Sequence, residues 1–215
     1  MTTRKSNVLK KITDDGLVAV IRAESREQAA RIAEACAEGG VAALEITFTV
    51  PGAAGVIEHL AKEFSKKILL GAGTVLDPET ARIAILAGAH FIVSPALNLD
   101  TARLCNRYQI PYMPGAATIK EVIEGMECGA DIIKVFPGEI LGPGFIRAVK
   151  GPLPQAQLMP TGGVGVENAA DWIDAGAVAI GAGGNLTAGA KTGDYASITR
   201  VARQLVEKIK EARAK

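Results

Sequence analysis

Short runs of aliphatic and β-branched residues alternate along the chain with longer stretches in which apolar positions recur every three or four residues. The short runs are Leu17–Arg22, Ala42–Thr47, Ile68–Gly71, His90–Ser94, Ile110–Met113, Asp131–Phe136, Gln157–Pro160 and Ala177–Gly181. They begin 20 to 26 residues apart, which leaves room for one strand, one helix and two short loops each time. Helix starts are marked between them. Ser25 with Gln28 three residues on forms a capping pattern at the head of Ser25–Glu38, and Thr118 with Glu121 forms another. Asp77-Pro78 sets a proline in the first turn after an acidic cap. Gly39-Gly40, Gly88, Gly129 and Gly176 each follow a helical stretch and precede an apolar run, where a left-handed residue ends the helix and turns the chain into a strand. Eight strand–helix units with no linker or change of composition predict a single (β/α)₈ TIM barrel, one domain over residues 1–215. The alternative is a doubly wound open sheet. Thr3–Asp14 adds an extra N-terminal helix, and Asp194–Ala214 a long amphipathic closing helix.

Composition sharpens this picture. Hydrophobic residues make up 48% of the chain but aromatic residues only 4%, so Val, Ile, Leu and Ala must build the core. That suits parallel strands covered on both faces. With 24 basic against 23 acidic residues and no basic stripe, nucleic acid is not an expected partner. No apolar run is long enough to cross a bilayer, and the polar first fifteen residues lack a signal-peptide core. Cys36, Cys105 and Cys128 are odd in number and each falls in a predicted helix, which predicts reduced, buried thiols and a cytoplasmic protein.

In a barrel of this kind, chemistry sits at the C-terminal ends of the strands. Alternation in Asp131–Phe136 puts Ile132, Lys134 and Phe136 on one face of the strand. A lysine between apolar neighbours is either a packed stem with a paired head or a desolvated amine, and desolvation makes the amine nucleophilic near neutral pH. Glu45 poses the same question with Ala43 and Thr47: a structural partner for Lys134 or Arg22, or a general base and acid beside the amine. Gly71–Gly73, Thr161-Gly162-Gly163 and Gly181–Gly184 are glycine-rich strand ends. The last two follow strands seven and eight, where backbone N–H groups commonly hold phosphate, although tight turns alone would also explain them. His59 on a helix and His90 at a strand start are too few for a zinc-type site. Trp172 is expected to pack a helix on the barrel, and Glu207–Glu211 to be a solvated helix face.

Seven of these segments fall together. Gly16-Leu-Val-Ala-Val-Ile-Arg22, Leu44-Glu-Ile-Thr-Phe-Thr49, Gly71-Ala-Gly-Thr74, Val93-Ser-Pro95, Met113-Pro-Gly115, Ile133-Lys-Val-Phe-Pro137 and Pro160-Thr-Gly-Gly163 resemble the KDPG/KHG aldolase family. The names stand for 2-keto-3-deoxy-6-phosphogluconate and 2-keto-4-hydroxyglutarate. The resemblance runs from about Gly16 into the C-terminal helix. It implies a class I (Schiff-base) aldolase on a TIM barrel, a homotrimer that needs no metal or organic cofactor and acts on a small phosphorylated keto acid. Lys134 would form the imine with the substrate ketone and Glu45 would shuttle protons. Thr74 would hold the pyruvate carboxylate, with Pro95 and Phe136 lining the pocket. Thr161, Gly162, Gly163 and the Gly183-Gly184 turn would take the phosphate end.

Two departures concern the substrate. Many members carry an arginine where this chain has Thr49, and Arg22 at the end of the first strand can supply the missing charge. Some carry a serine where Gly184 stands, which removes one hydroxyl from the phosphate end. The expected reaction is cleavage of the phosphogluconate derivative to pyruvate and glyceraldehyde 3-phosphate, with 4-hydroxy-2-oxoglutarate as a further substrate. Its rivals are an aldolase for the galactonate epimer and a catalytically silent phosphate-binding barrel.

Overall fold

A computed structural model describes residues 4–64 and 68–214. The first half runs α1 (Arg4–Asp15), β1 (Leu17–Ile21), α2 (Arg26–Glu38), β2 (Ala43–Thr47), α3 (Ala53–Glu63), β3 (Leu69–Gly73), α4 (Pro78–Leu86), β4 (Phe91–Val93), α5 (Leu99–Tyr108) and β5 (Tyr112–Met113). The second runs β6 (Gly115–Ala116), α6 (Ile119–Glu127), β7 (Ile133–Val135), α7 (Gly138–Lys150), β8 (Leu158–Pro160), α8 (Ala169–Asp174), β9 (Ile180–Ala182) and α9 (Gly184–Thr187). A 3₁₀ turn at Ala188–Lys191 leads into α10 (Tyr195–Arg213). The expected N-terminal helix is present from Arg4; Thr3 lies outside the described residues.

The helix starts follow their capping chemistry. Ser25 accepts the Gln28 N–H at 3.1 Å, Asp77 accepts that of Thr80 at 2.6 Å, and Thr118 and Glu121 form the reciprocal box. The helix exits use glycine as expected: Gly40, Gly88, Gly129 and Gly176 have φ of 92°, 109°, 83° and 102°. In the Gly39-Gly40 pair, Gly39 stays right-handed as the cap and only Gly40 turns.

All strand pairs are parallel, and the sheets differ from eight strands in one ladder. Six strands run in the order β5-β4-β3-β2-β1-β9, and three in the order β6-β7-β8. Pro114 makes the break between β5 and β6. Its carbonyl accepts the Lys134 N–H at 2.9 Å, but proline has no N–H to return to a neighbour. At the other seam, β8 meets β9 through one bridge, Thr161 with Gly181, and the Val178 N–H bonded to Leu158 at 3.0 Å.

Two apolar cores follow from strand alternation. The larger packs outward-facing strand residues such as Ile46, Leu70 and Ile133 under the helices. The smaller gathers Val18, Ala43, Phe91, Val93, Met113, Ile132, Met159 and Ala179 with Val8 and Ile12 of α1. That helix therefore closes one end of the inward faces, and Lys5 pins it to Asp131 at 2.6 Å. Trp172 is buried on α8 as expected, and Glu207, Lys208, Lys210 and Glu211 are exposed. All three cysteines are free, but Cys128 corrects the expectation of buried helical thiols: it follows the last turn of α6 and is half-buried. Among the described residues no helix is long and apolar enough to cross a membrane.

Candidate active site

The inward faces change character within two residues. Val18 is followed on its face by Val20 and Arg22, Ala43 by Glu45 and Thr47, Ile132 by Lys134 and Phe136, and Met159 by Thr161. The first member of each series packs in the smaller core; a polar or charged side chain follows at the next position in three of the series, and after Val20 in the first.

Glu45 is 1% exposed and Lys134 3%. Neither oxygen of the Glu45 carboxylate has a hydrogen-bond partner, and among the described residues no ion pair joins it to Lys134 or Arg22. Burial pushes the Glu45 carboxyl above its ordinary value, against the attraction of Lys134 and Arg22. It pulls the Lys134 ammonium down, against the attraction of Glu45 and with help from the Arg22 charge. Each shift favours the neutral form of its group. The Lys134 Nζ lies 5.0 Å from the centre of the Phe136 ring. Gly73 makes room for the carboxylate: a Cβ there would stand 2.5 Å from Glu45 Oε1. Gly181 does the same for Thr161, whose hydroxyl is buried without a partner.

Arg22, Phe136, Thr161, Gly162, Gly163, Gly183 and Gly184 line one cleft of about 260 Å³. Gly162 and Gly163 have φ of 99° and 68°, and their loop is held by Asn168, which accepts the Gly165 N–H and donates to the Gly163 carbonyl, both at 3.0 Å. Glu139 and Asn185 also line this cleft and were not anticipated. Both stand in the first turn of a helix directly after an inward strand end, and that position was the available signal.

Thr74 and Pro95 follow β3 and β4 at the same end of the strands but line no part of this cleft. Thr74 has φ of 56°, a region that β-branched residues rarely occupy. Pro95 sits in a loop held by the buried Tyr112 hydroxyl, which bonds Ser94 at 2.8 Å and accepts the Asn98 N–H at 3.1 Å. Thr49 is exposed and tied to its own strand. Thr47 donates its one hydroxyl proton to Ile21 at 3.1 Å, so Thr49 donates to Thr47 at 2.7 Å.

A parallel α/β fold with a buried lysine and a buried glutamate among strand ends, not ion-paired to each other, is the setting of an aldolase, a carbon–carbon lyase. The fold superposes on the Legionella pneumophila KDPG aldolase captured with pyruvate as a covalent carbinolamine intermediate. The TM-score is 0.85 at 28% identity, over 95% of this chain and 98% of that one. The chain belongs to the KDPG and KHG aldolase family, whose profile matches residues 8–201. It is 35% identical to the KHG/KDPG aldolase of Escherichia coli (strain K12) over 96% of this chain and 98% of that protein. It is 33% identical to the 2-dehydro-3-deoxy-6-phosphogalactonate aldolase of the same strain, over 92% and 94%.

Proposed function

We propose that this chain is a class I aldolase that cleaves 2-keto-3-deoxy-6-phosphogluconate to pyruvate and glyceraldehyde 3-phosphate. The observation that carries the reading is the burial of Lys134 and Glu45 on inward faces with no ion pair between them and no hydrogen-bond partner for the carboxylate. Lys134 Nζ attacks the C2 ketone, the Glu45 carboxyl protonates the departing hydroxyl, and loss of water leaves a protonated imine and the Glu45 carboxylate. Glu45 takes the C4 hydroxyl proton, the C3–C4 bond breaks, and its electrons pass into the imine to give an enamine while the aldehyde leaves. Protonation at C3 and hydrolysis then release pyruvate and the free lysine.

Thr74 holds the carboxylate end in this reading; Arg22, the charge expected to stand in for the side chain that Thr49 cannot supply, lines the phosphate cleft instead. Pro95 and Phe136 flank the reacting carbons. The phosphate lies against Thr161, Gly162, Gly163, Gly183 and Gly184, in support of which these residues share one cleft with Arg22. Gly184 is not left-handed and has no atom within 4 Å of an added Cβ, so Gly184→Ser fits and should lower KM for the phosphorylated substrate. 4-Hydroxy-2-oxoglutarate is a second, smaller substrate of the same site. The relative named for the phosphogalactonate derivative makes the galactonate epimer the second reading, and rates with the two epimers separate them.

The two sheets close into one (β/α)₈ barrel that spans the chain as a single domain. Support comes from the Thr161–Gly181 bridge at one seam and the lone Pro114 at the other. The barrel assembles as a homotrimer, for which the exposed Leu76, Ile83, Leu86 and Ile140 offer apolar surface. It works in the cytoplasm, in keeping with its unpaired cysteines. Borohydride reduction in the presence of pyruvate tests the chemistry. The adduct is expected on Lys134, and an adduct elsewhere with Lys134→Ala still active would overturn the assignment.

A further inference from the structure

The glycine-rich cleft has a larger neighbour. About 630 Å³ of space lies between the loop after β1 and the turns after β9, lined by Val20, Arg22, Gln28, Gly184, Thr187 and Lys191 among others. Arg22 and Gly184 belong to both clefts, so the two spaces meet there. Gly184 has no side chain to partition them, and open space extends 4 Å from where a Cβ would stand.

The walls of the larger cleft are fixed by one side chain. The Gln28 carbonyl accepts the Glu24 N–H at 2.8 Å, and its amide donates to the Ala190 carbonyl at 3.3 Å, which ties the loop after β1 to the 3₁₀ turn. The charged residues around this space are Arg22, Lys191 and Glu24, two cations against one anion. In the smaller cleft Arg22 faces Glu139, one against one. Of the two, the larger cleft is the better electrostatic match for an anionic group. The aldolase reading seats the phosphate of a three-carbon aldehyde in the smaller cleft, so the extra volume suits a longer chain.

We infer that the larger cleft is a second distal subsite, which takes the phosphorylated end of 2-keto-3-deoxy acids built on four- and five-carbon aldehydes. This rests on the aldolase reading above. In the synthetic direction the C3 of the pyruvate enamine bonds to the aldehyde carbon. The aldehyde oxygen takes a proton and becomes the C4 hydroxyl, and hydrolysis of the imine frees the product and Lys134.

The test is condensation of pyruvate with glyceraldehyde 3-phosphate, erythrose 4-phosphate and ribose 5-phosphate, read as kcat/KM for each aldehyde. Wild type should use all three. Lys191→Ala should keep the three-carbon rate and lose about tenfold or more on the longer two, the size of one charge-assisted contact. Ala188→Leu, at a residue that lines only the larger cleft, should do the same by filling it. Wild-type activity confined to the three-carbon aldehyde, or variants that change all three rates equally, would overturn the inference alone. Wild-type inactivity toward every aldehyde would overturn the aldolase reading and this inference with it.

Discussion

The two ends of the inward faces are made from the same strands and obey opposite rules. At the end closed by α1, Val18, Ala43, Phe91, Ile132, Met159 and Ala179 pack with Val8 and Ile12, and no polar side chain belongs to the cluster. One step further along the same faces stand Glu45, Lys134 and Thr161, each buried, with the glutamate and threonine oxygens unpartnered. Glycines at Gly73 and Gly181 give up packing so that those groups fit. Burial of unpaired polar groups destabilises a fold, so the dry end must offset what the reactive end costs. Stability and chemistry are thus divided along each strand rather than between separate layers.

Four changes test that division. Glu45→Gln removes the proposed proton acceptor and should lower kcat by about 10²–10⁴-fold, with pyruvate still trapped on Lys134 by borohydride. Unchanged turnover would move the base elsewhere. Ile132→Ala, one step along the face from Lys134, should cost about 2–5 kcal/mol in urea unfolding and leave kcat per folded molecule near wild type. A large kcat loss at full stability would erase the contrast between the two ends.

Replacing the pair together with apolar residues, Glu45→Met with Lys134→Met, should abolish activity and stabilise the fold by about 1–3 kcal/mol for each buried group removed. The pH dependence carries its own signs. Glu45 binds its proton more tightly folded than unfolded, so its contribution to stability falls as pH rises from about 4.5 through its raised value. Lys134 loses its proton more readily when folded, so its contribution grows as pH climbs from its lowered value toward 10.5. Both slopes should vanish in the double variant, and unfolding curves across pH that match wild type would refute this. Smallest in effect is Thr74→Gly, which relieves a left-handed threonine. It should gain about 1–2 kcal/mol in thermal unfolding and lower kcat/KM. A gain in stability with no loss of activity would make that backbone strain incidental.

Much of this was legible in the chain because local signals agree with the fold. Ser25, Asp77 and Thr118 cap the helices they mark, and each apolar run overlaps an observed strand, although β3 and β9 reach past the ends of theirs and β6 lies in none. Alternation alone placed Lys134 and Glu45 on faces that turned out to be shared. What alternation does not carry is the distance between strands remote in sequence, so the ion pair that remained open for Glu45 and Lys134 was settled only in three dimensions. The break at Pro114 was visible as a residue but not as a seam, since its effect depends on which neighbour asks for an N–H. Glu139 and Asn185 stand in helical first turns and belong to none of the motifs that marked the site in the sequence. Thr49 was marked by what it replaces, and its bond to Thr47 shows why it offers so little in return.

The helix at the closed end has a consequence for traffic. With Val8 and Ile12 packed across one end of the inward faces, the proposed reaction draws substrate, water and solvent protons through a doorway at the other end of the strands. A heavy-isotope label from solvent reaches the Lys134 amine no faster than that doorway opens. Any side chain that narrows it slows arrival and departure together. Exchange at the lysine is therefore a clock for the opening, set by residues that never touch the reacting carbons.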